Sequence, residues 1–291
     1  MAIDKTQIFE ENRRTLEGIA YRMLGTLADA RDVVQDTYLK WNEGDAATLR
    51  SPRAWLITVC SRKALNLLQS AQRQRETYFG EWLPEPMPAG AGFDLAAKME
   101  LDESISIALL FVLEKLSPAE RAAWLLHDVF DLGFDEIATI LGKTPENCRQ
   151  LAARARKRVH DGRPRFQTQP EEHRKLLAAF FDAARDGSLA QLTGLLSRNV
   201  ELYADGGGRA EAVADMLCGA ETVGAFFVEV FRKYAAQGVA IRPLPHWFNG
   251  LPGLLVFEDE QLATALTLEI DQGRIRRIFA IRNPDKLGAF S

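Results

Sequence analysis

The segment KTPENCRQLAARARKRVH, Lys143 to His160, carries side chains suited to binding nucleic acid. Asn147, Arg149 and Gln150 lie near its start, behind Thr144, and are of the types that hydrogen-bond base edges in a major groove. Arg154 and Lys157 come later and suit phosphates, which give affinity without sequence information. From Lys143 to Arg165 there are eight Lys or Arg against two Asp or Glu, 8 − 2 = +6, in a chain whose net charge is −4. From Lys40 to Arg75 the balance is seven against two, 7 − 2 = +5. Two cationic stretches in an acidic chain imply an anionic partner.

Groups able to do acid–base chemistry gather in the last third: Tyr203, Asp205, Asp215, Tyr234 and His246. A carboxylate or imidazole base with a phenol to polarise a carbonyl would be their chemistry, but nothing in the spacing brings them together. Asp205 precedes Gly206, Gly207 and Gly208, a run that favours a tight loop whose Asp bonds its own backbone. The run lacks the spacing and context of a nucleotide fingerprint. Cys60, Cys148 and Cys218 are odd in number and far apart, with no CxxC or HExxH spacing, which argues against disulfides and structural zinc. No catalytic residue, metal or cofactor is assigned.

The elements that must hold the cationic side chains are helices. Phe134, Ile137, Ala138 and Leu141 share one helical face, Gly142 ends that helix, and Thr144 with Pro145 starts the next. Cys148, Leu151, Ala152, Ala155 and Val159 form the buried stripe of the second helix, which completes a helix-turn-helix pattern. Further upstream, DARDVVQDTYLKW puts Ala30, Val33, Val34, Thr37 and Trp41 on one face and Asp32, Gln35 and Leu39 on another. Asp36 lies beside that second set. A loop, NEGDAATLR, leads to a helix capped by Ser51 and Pro52 that carries Arg53, Arg62, Lys63, Asn66 and Arg73.

Composition changes twice. Residues 77–103 hold WLPEPMPAGAG and read as an extended tether, and from Glu76 to Glu103 seven acidic residues face Lys98 alone, 7 − 1 = 6 negative charges. Residues 164–172 form a second joint. From about His173, two helical segments precede strand-like runs that include VAIRPLPHWF, GLLVFED, LATALTLEI and RIRRIFAIR. The expected organisation is a helical domain over 1–76, linker 77–103, a helical domain over 104–163, linker 164–172 and an α+β domain over 173–291. The start, MAIDKTQIFEENRR, has charges where a signal peptide needs an apolar core, and the apolar runs are far short of the roughly 20 residues that span a bilayer. The expectation is a soluble, cytoplasmic protein without a membrane partner.

DARDVVQDTYLKW followed by PRAWLITVCSRKALNLL resembles region 2 of the extracytoplasmic-function (ECF) sigma factors of bacterial RNA polymerase. LEKLSPAERAAWLLHDVFDLGFDEIATILGKTPENCRQLAARARKRV resembles their region 4 helix-turn-helix. The remainder resembles a SnoaL-like, cone-shaped α+β domain of the NTF2-like kind. With WLPEP, DGGGR (Asp205 to Arg209) and NPDKL (Asn283 to Leu287), the chain is similar to a sigma-factor subgroup with such a domain fused at its C-terminus.

That resemblance implies a role for each set of residues. Asp32, Gln35, Asp36 and Leu39 would bind the β′ clamp helices of core polymerase, and the β flap would be a second contact. The loop from Asn42 to Arg50, with Arg53, Arg62, Lys63, Asn66 and Arg73, would meet the minus-ten element of promoter DNA. Thr144, Asn147, Arg149, Gln150, Arg154 and Lys157 would read the minus-thirty-five element. Trp82, Leu83 and Pro84, with Asp205, Gly206, Gly207, Gly208, Arg209, Asn283, Pro284, Asp285, Lys286 and Leu287, would regulate in cis. On this view Trp82 is buried in a slot on the third domain. No separate anti-sigma factor is expected, and the free chain would be a monomer. Two other readings stay open: a helix-turn-helix regulator sensing a small molecule, and a SnoaL-type isomerase or cyclase with a DNA-binding appendage.

Overall fold

The computed structural model describes residues 4–45, 49–75, 77–89, 105–162 and 168–290. It forms two compact units, Met1–Thr77 with Gly90–Ile105 and Leu109–Gly162, and Tyr78–Ala89 with Ser106–Ala108 and Arg163–Ser291.

The first unit is helical: α1 (Lys5–Leu24), α2 (Leu27–Glu43), α3 (Pro52–Arg75), α4 (Ile107–Glu114, from Leu109 onward), α5 (Pro118–Trp124), α6 (Phe134–Leu141) and α7 (Pro145–Gly162). Local signals set its boundaries. Asp4 caps α1 by accepting from the N–H groups of Thr6 and Gln7, and Gly25 ends it in the left-handed conformation. The stripe of Ala30, Val33, Val34, Thr37 and Trp41 is buried as its spacing requires. The Trp41 indole donates to the Lys5 carbonyl at 2.8 Å and its ring lies 5.5 Å from that of Trp55. Ser117 and Glu120 form a capping box at α5, which runs into a π-helical turn, Leu125–Val129. Gly142, at φ 63°, turns the chain between α6 and α7.

In the second unit α8 (Pro170–Arg185), α9 (Leu189–Leu195) and α10 (Ala220–Gln237) accompany a six-stranded sheet. Its strands are β1 (Leu196–Asp205), β2 (Leu217–Cys218), β3 (Ile241–Phe248), β4 (Leu251–Glu258), β5 (Gln261–Asp271) and β6 (Arg274–Ile281), in the order β2-β1-β6-β5-β4-β3. β1 runs parallel to β6 and the other pairs are antiparallel. Asn249-Gly250 and Gln272-Gly273, all at positive φ, supply the tight hairpin turns that right-twisted strands prefer. Strand alternation separates two chemistries. Leu202, Ala204, Leu266, Ile278 and Ala280 face the core with Phe180 and Phe181 of α8. Tyr203, Asp205 and Phe279 belong to the opposite face.

The fold class matches the sequence reading: helical sigma-type modules followed by an α+β domain. One expectation changes. Residues Tyr78–Ala89, read as a loose tether, are packed into the second unit, with Leu83 and Met87 buried. The segment reaches the sheet only through one antiparallel bridge, Pro88 with Phe248: the Asn249 N–H donates to the Met87 carbonyl at 2.9 Å and the Ala89 N–H to the Trp247 carbonyl at 3.2 Å, while the Met87 N–H donates to the Asn249 side-chain Oδ1 at 2.8 Å. The acidic remainder of that linker, residues 90–104, lies outside the described residues.

Candidate nucleic-acid interface and linker-binding cluster

α7 presents the expected side chains. Thr144 caps it, its hydroxyl accepting from the Asn147 N–H at 3.2 Å. Asn147, Arg149, Gln150, Arg154 and Lys157 are all exposed, opposite the buried Cys148, Leu151, Ala152, Ala155 and Val159. Ion pairs pre-position several cations. Arg149 pairs with Glu146 at 3.2 Å and lies over the Phe134 ring. Arg154 and Arg158 converge on Glu120 at 3.5 and 3.2 Å, and Arg156 on Asp128 at 2.7 Å. Burial alone would raise the Glu120 carboxyl, but hydrogen bonds from Ser117 and the two guanidinium charges outweigh it and hold the pKa below the usual range. Glu120 thus works as both cap and anchor for the cationic face.

On the region around α2 and α3, Asp32, Gln35, Asp36 and Leu39 share an exposed surface, with Leu39 54% exposed. Asn42, Arg50, Arg53 and Asn66 are exposed as well. Two cations are already occupied. Lys63 pairs with Asp36 at 2.9 Å, and Arg62 donates from Nη2 to the Thr139 carbonyl and from Nε to that of Ile140 at 3.4 Å. Arg121 of α5, almost fully buried, donates to the Arg22 carbonyl of α1 at 3.1 Å. The helices expected as two separated cationic modules therefore pack into one unit, with Arg62 turned to α6. Sequence spacing had no access to these contacts across 77 to 99 positions. Residues 46–48 of the loop and the Arg73 side chain lie outside the described residues.

The three unusual motifs meet around one carboxylate. Asp205, with no exposed surface, accepts from Tyr78 Oη at 2.6 Å, the Leu83 N–H at 2.9 Å and Lys286 Nζ at 2.6 Å. Lys286 also donates to the Leu83 carbonyl at 2.5 Å and sits 4.0 Å from the Trp82 ring centre. Asn283 Nδ2 donates to Tyr78 Oη at 2.9 Å. Burial, then the hydrogen bond to Asp205, pushes the Tyr78 phenol well above its ordinary pKa, so it remains a donor. Main-chain N–H groups of Arg282 and Asn283 reach the Asp205 carbonyl at 2.7 and 2.8 Å. Arg209 pairs with Asp285. The glycines are needed sterically: a Cβ at Gly207, which has φ +61°, would lie 2.3 Å from the Asn283 amide, and one at Gly206 2.3 Å from the Ala210 carbonyl.

Two sequence readings are corrected here. The Asp205 side chain does not fold back on its own loop, because the buried Lys286 and the linker donors satisfy it. Leu83, Pro84 and Pro86 are the buried residues of WLPEP, whereas Trp82 stays half-buried as a lid over Lys286. The five acid–base candidates stay apart, as the lack of a common spacing implied: Tyr234 alone of them lines a cavity between α8, α10 and the sheet. Tyr203 and Asp205 sit on the opposite sheet face, so the five do not form one site. Tyr78 and Asn249 were missed, since their partners are 127 and 162 positions away.

Known proteins agree with this architecture. Residues 8–74 match Sigma-70 region 2 and residues 106–159 match Sigma-70, region 4. The ECF RNA polymerase sigma factor SigJ of Mycobacterium tuberculosis is 35% identical over 288 residues, covering 96% of this chain and 91% of its own. The chain belongs to the ECF sigma factors. SigI from the same organism is 31% identical over 278 residues, covering 95% and 92%. The crystal structure of M. tuberculosis SigJ superimposes with a TM-score of 0.76 at 31% identity, over 98% of each chain. This sigma factor, with its fused C-terminal SnoaL-like domain, binds core RNA polymerase and promoter DNA to initiate transcription, and is not an enzyme. Among the described residues no helix is long and apolar enough to cross a membrane.

Proposed function

We propose that the C-terminal domain tunes this sigma factor in cis by holding the linker between its two sigma regions. The observation that carries the reading is the buried Asp205, which binds Tyr78 and Leu83 of the linker and Lys286 of NPDKL at once. Fixing Tyr78–Ala89 shortens the free part of the linker, and with it the reach between the region 2 helix α3 and the region 4 helix α7. Regulation then needs no separate anti-sigma protein, and the free chain is a cytoplasmic monomer.

On polymerase, Asp32, Gln35, Asp36 and Leu39 engage the β′ clamp helices, and the region 4 module meets the β flap. Asn42, Arg50, Arg53, Arg62, Lys63, Asn66 and Arg73 face the minus-ten element, which requires Arg62 to leave the Thr139 and Ile140 carbonyls. Thr144, Asn147, Arg149, Gln150, Arg154 and Lys157 face the minus-thirty-five element. The test is transcription in vitro with core polymerase, comparing the full chain with its Asp205→Ala form. The expected outcome is a changed yield of start-site-specific transcript at equal sigma occupancy. Equal yields would contradict cis control.

A further inference from the structure

The π-helical turn Leu125–Val129 puts one more residue into its circuit than an α-helix does, which re-aims the side chains it carries. His127 Nδ1 lies 3.0 Å from the Leu132 carbonyl, and since a carbonyl only accepts, that nitrogen carries the proton. The Leu132 N–H reaches back to the Leu126 carbonyl at 2.9 Å, with Asp131 at φ 57° between them. Held in this way, the His127 ring lies 4.1 Å from the ring of Phe134, tilted by 34°. Phe134 opens α6, and the Arg149 guanidinium of α7 sits over its ring at 5.5 Å. His127, Phe134 and Arg149 thus form an unbroken line of contacts from the π-turn to the second helix of the helix-turn-helix. The same turn holds another cation of α7, Arg156, through Asp128 at 2.7 Å.

The two restraints on Arg149 differ in kind. Its ion pair with Glu146 joins side chains that are 55% and 68% exposed, and such surface pairs contribute little. The pair also occupies Arg149 Nη1, an N–H group that a bidentate contact to guanine O6 and N7 would use. An aromatic ring attracts a guanidinium through its π face and needs no N–H group for it, so the donor fork stays free for a base. Phe134 is therefore the restraint that can persist once Arg149 is on DNA. A long side chain already held in one direction loses less conformational freedom when it binds.

We propose that Phe134, backed by His127 of the π-turn, is a positioning residue that sets the specificity of minus-thirty-five readout by aiming Arg149. This role rests on Arg149 being a base contact. The test is holoenzyme binding to promoters with a matched and a scrambled minus-thirty-five element, read as the ratio of the two affinities. Phe134→Leu and Phe134→Met, which keep an apolar side chain without the ring, should each lower that ratio by about threefold to fivefold. Phe134→Tyr should keep the full ratio, and the salt slope should be the same in all three variants. His127→Ala should lower the ratio by about twofold. In an Arg149→Ala background, Phe134→Leu should change the ratio no further. A full ratio in both ring-less variants overturns the role of Phe134, and a full ratio in His127→Ala overturns that of His127. A further loss in the Arg149→Ala background would make Phe134 a general support of α7 and overturn its aiming role. An undiminished ratio in Arg149→Ala itself would overturn the base contact, and the aiming role with it.

Discussion

Asp205 and Lys286 show how one buried pair can organise three sequence motifs. Their side chains are 0% and 7% exposed, so both charges are desolvated and each depends on the other and on the linker donors. Removing one partner of such a pair strands the other, at a cost of about 3–5 kcal/mol. Asp205→Ala or Lys286→Met should therefore destabilise the C-terminal unit by about that amount, while the double variant should lose less than the sum. Thermal or urea unfolding of the full chain, followed through that unit, checks both. A different residue contributes on the acid side. Burial lowers the His173 imidazole from its ordinary 6.5 to about 4, so the unfolded chain binds the extra proton first. Its contribution is present above pH 6.5 and is lost as pH falls toward 4, about 3 kcal/mol in all. The acid-side decline in stability should flatten in His173→Leu; an identical decline would remove His173 as its source.

At the level of elements, the α6–turn–α7 unit was legible because its information is local. Gly142, Thr144 and Pro145 lie within four residues, and the buried stripe of α7 follows a single helical period. Strands β3 to β6 were legible for the same reason, as alternating runs with short turns. The linker was misread because its partners are remote: composition shows prolines, whereas the Asn249 and Asp205 contacts that order Tyr78–Ala89 cannot be inferred from local pattern. The occupation of Arg62 by α6 was hidden likewise. For α7, Arg149→Ala should cost about 1–3 kcal/mol on the preferred upstream element and relax specificity there. Lys157→Ala should instead weaken every sequence alike and lower the salt slope by about one. Holoenzyme binding to matched and scrambled promoters over a salt series separates the two roles; equal losses on both DNAs for Arg149→Ala would make it a phosphate contact.

In the molecule as a whole, the chain order of the motifs acquires a physical meaning. Region 2 ends near residue 75, region 4 begins near 105, and twelve of the intervening residues, 78–89, belong to the unit formed by the C-terminal domain. Control of linker length would then be control of how far the two DNA-binding surfaces can separate. The most direct test is a distance measurement by electron–electron double resonance. Spin labels would be placed at the exposed positions of Gln69→Cys in α3 and His160→Cys in α7, with the exposed Cys218 replaced by serine. The account expects a narrow, short distance distribution in the free chain that broadens and lengthens in Asp205→Ala. The same distribution with and without the Asp205 carboxylate would contradict it.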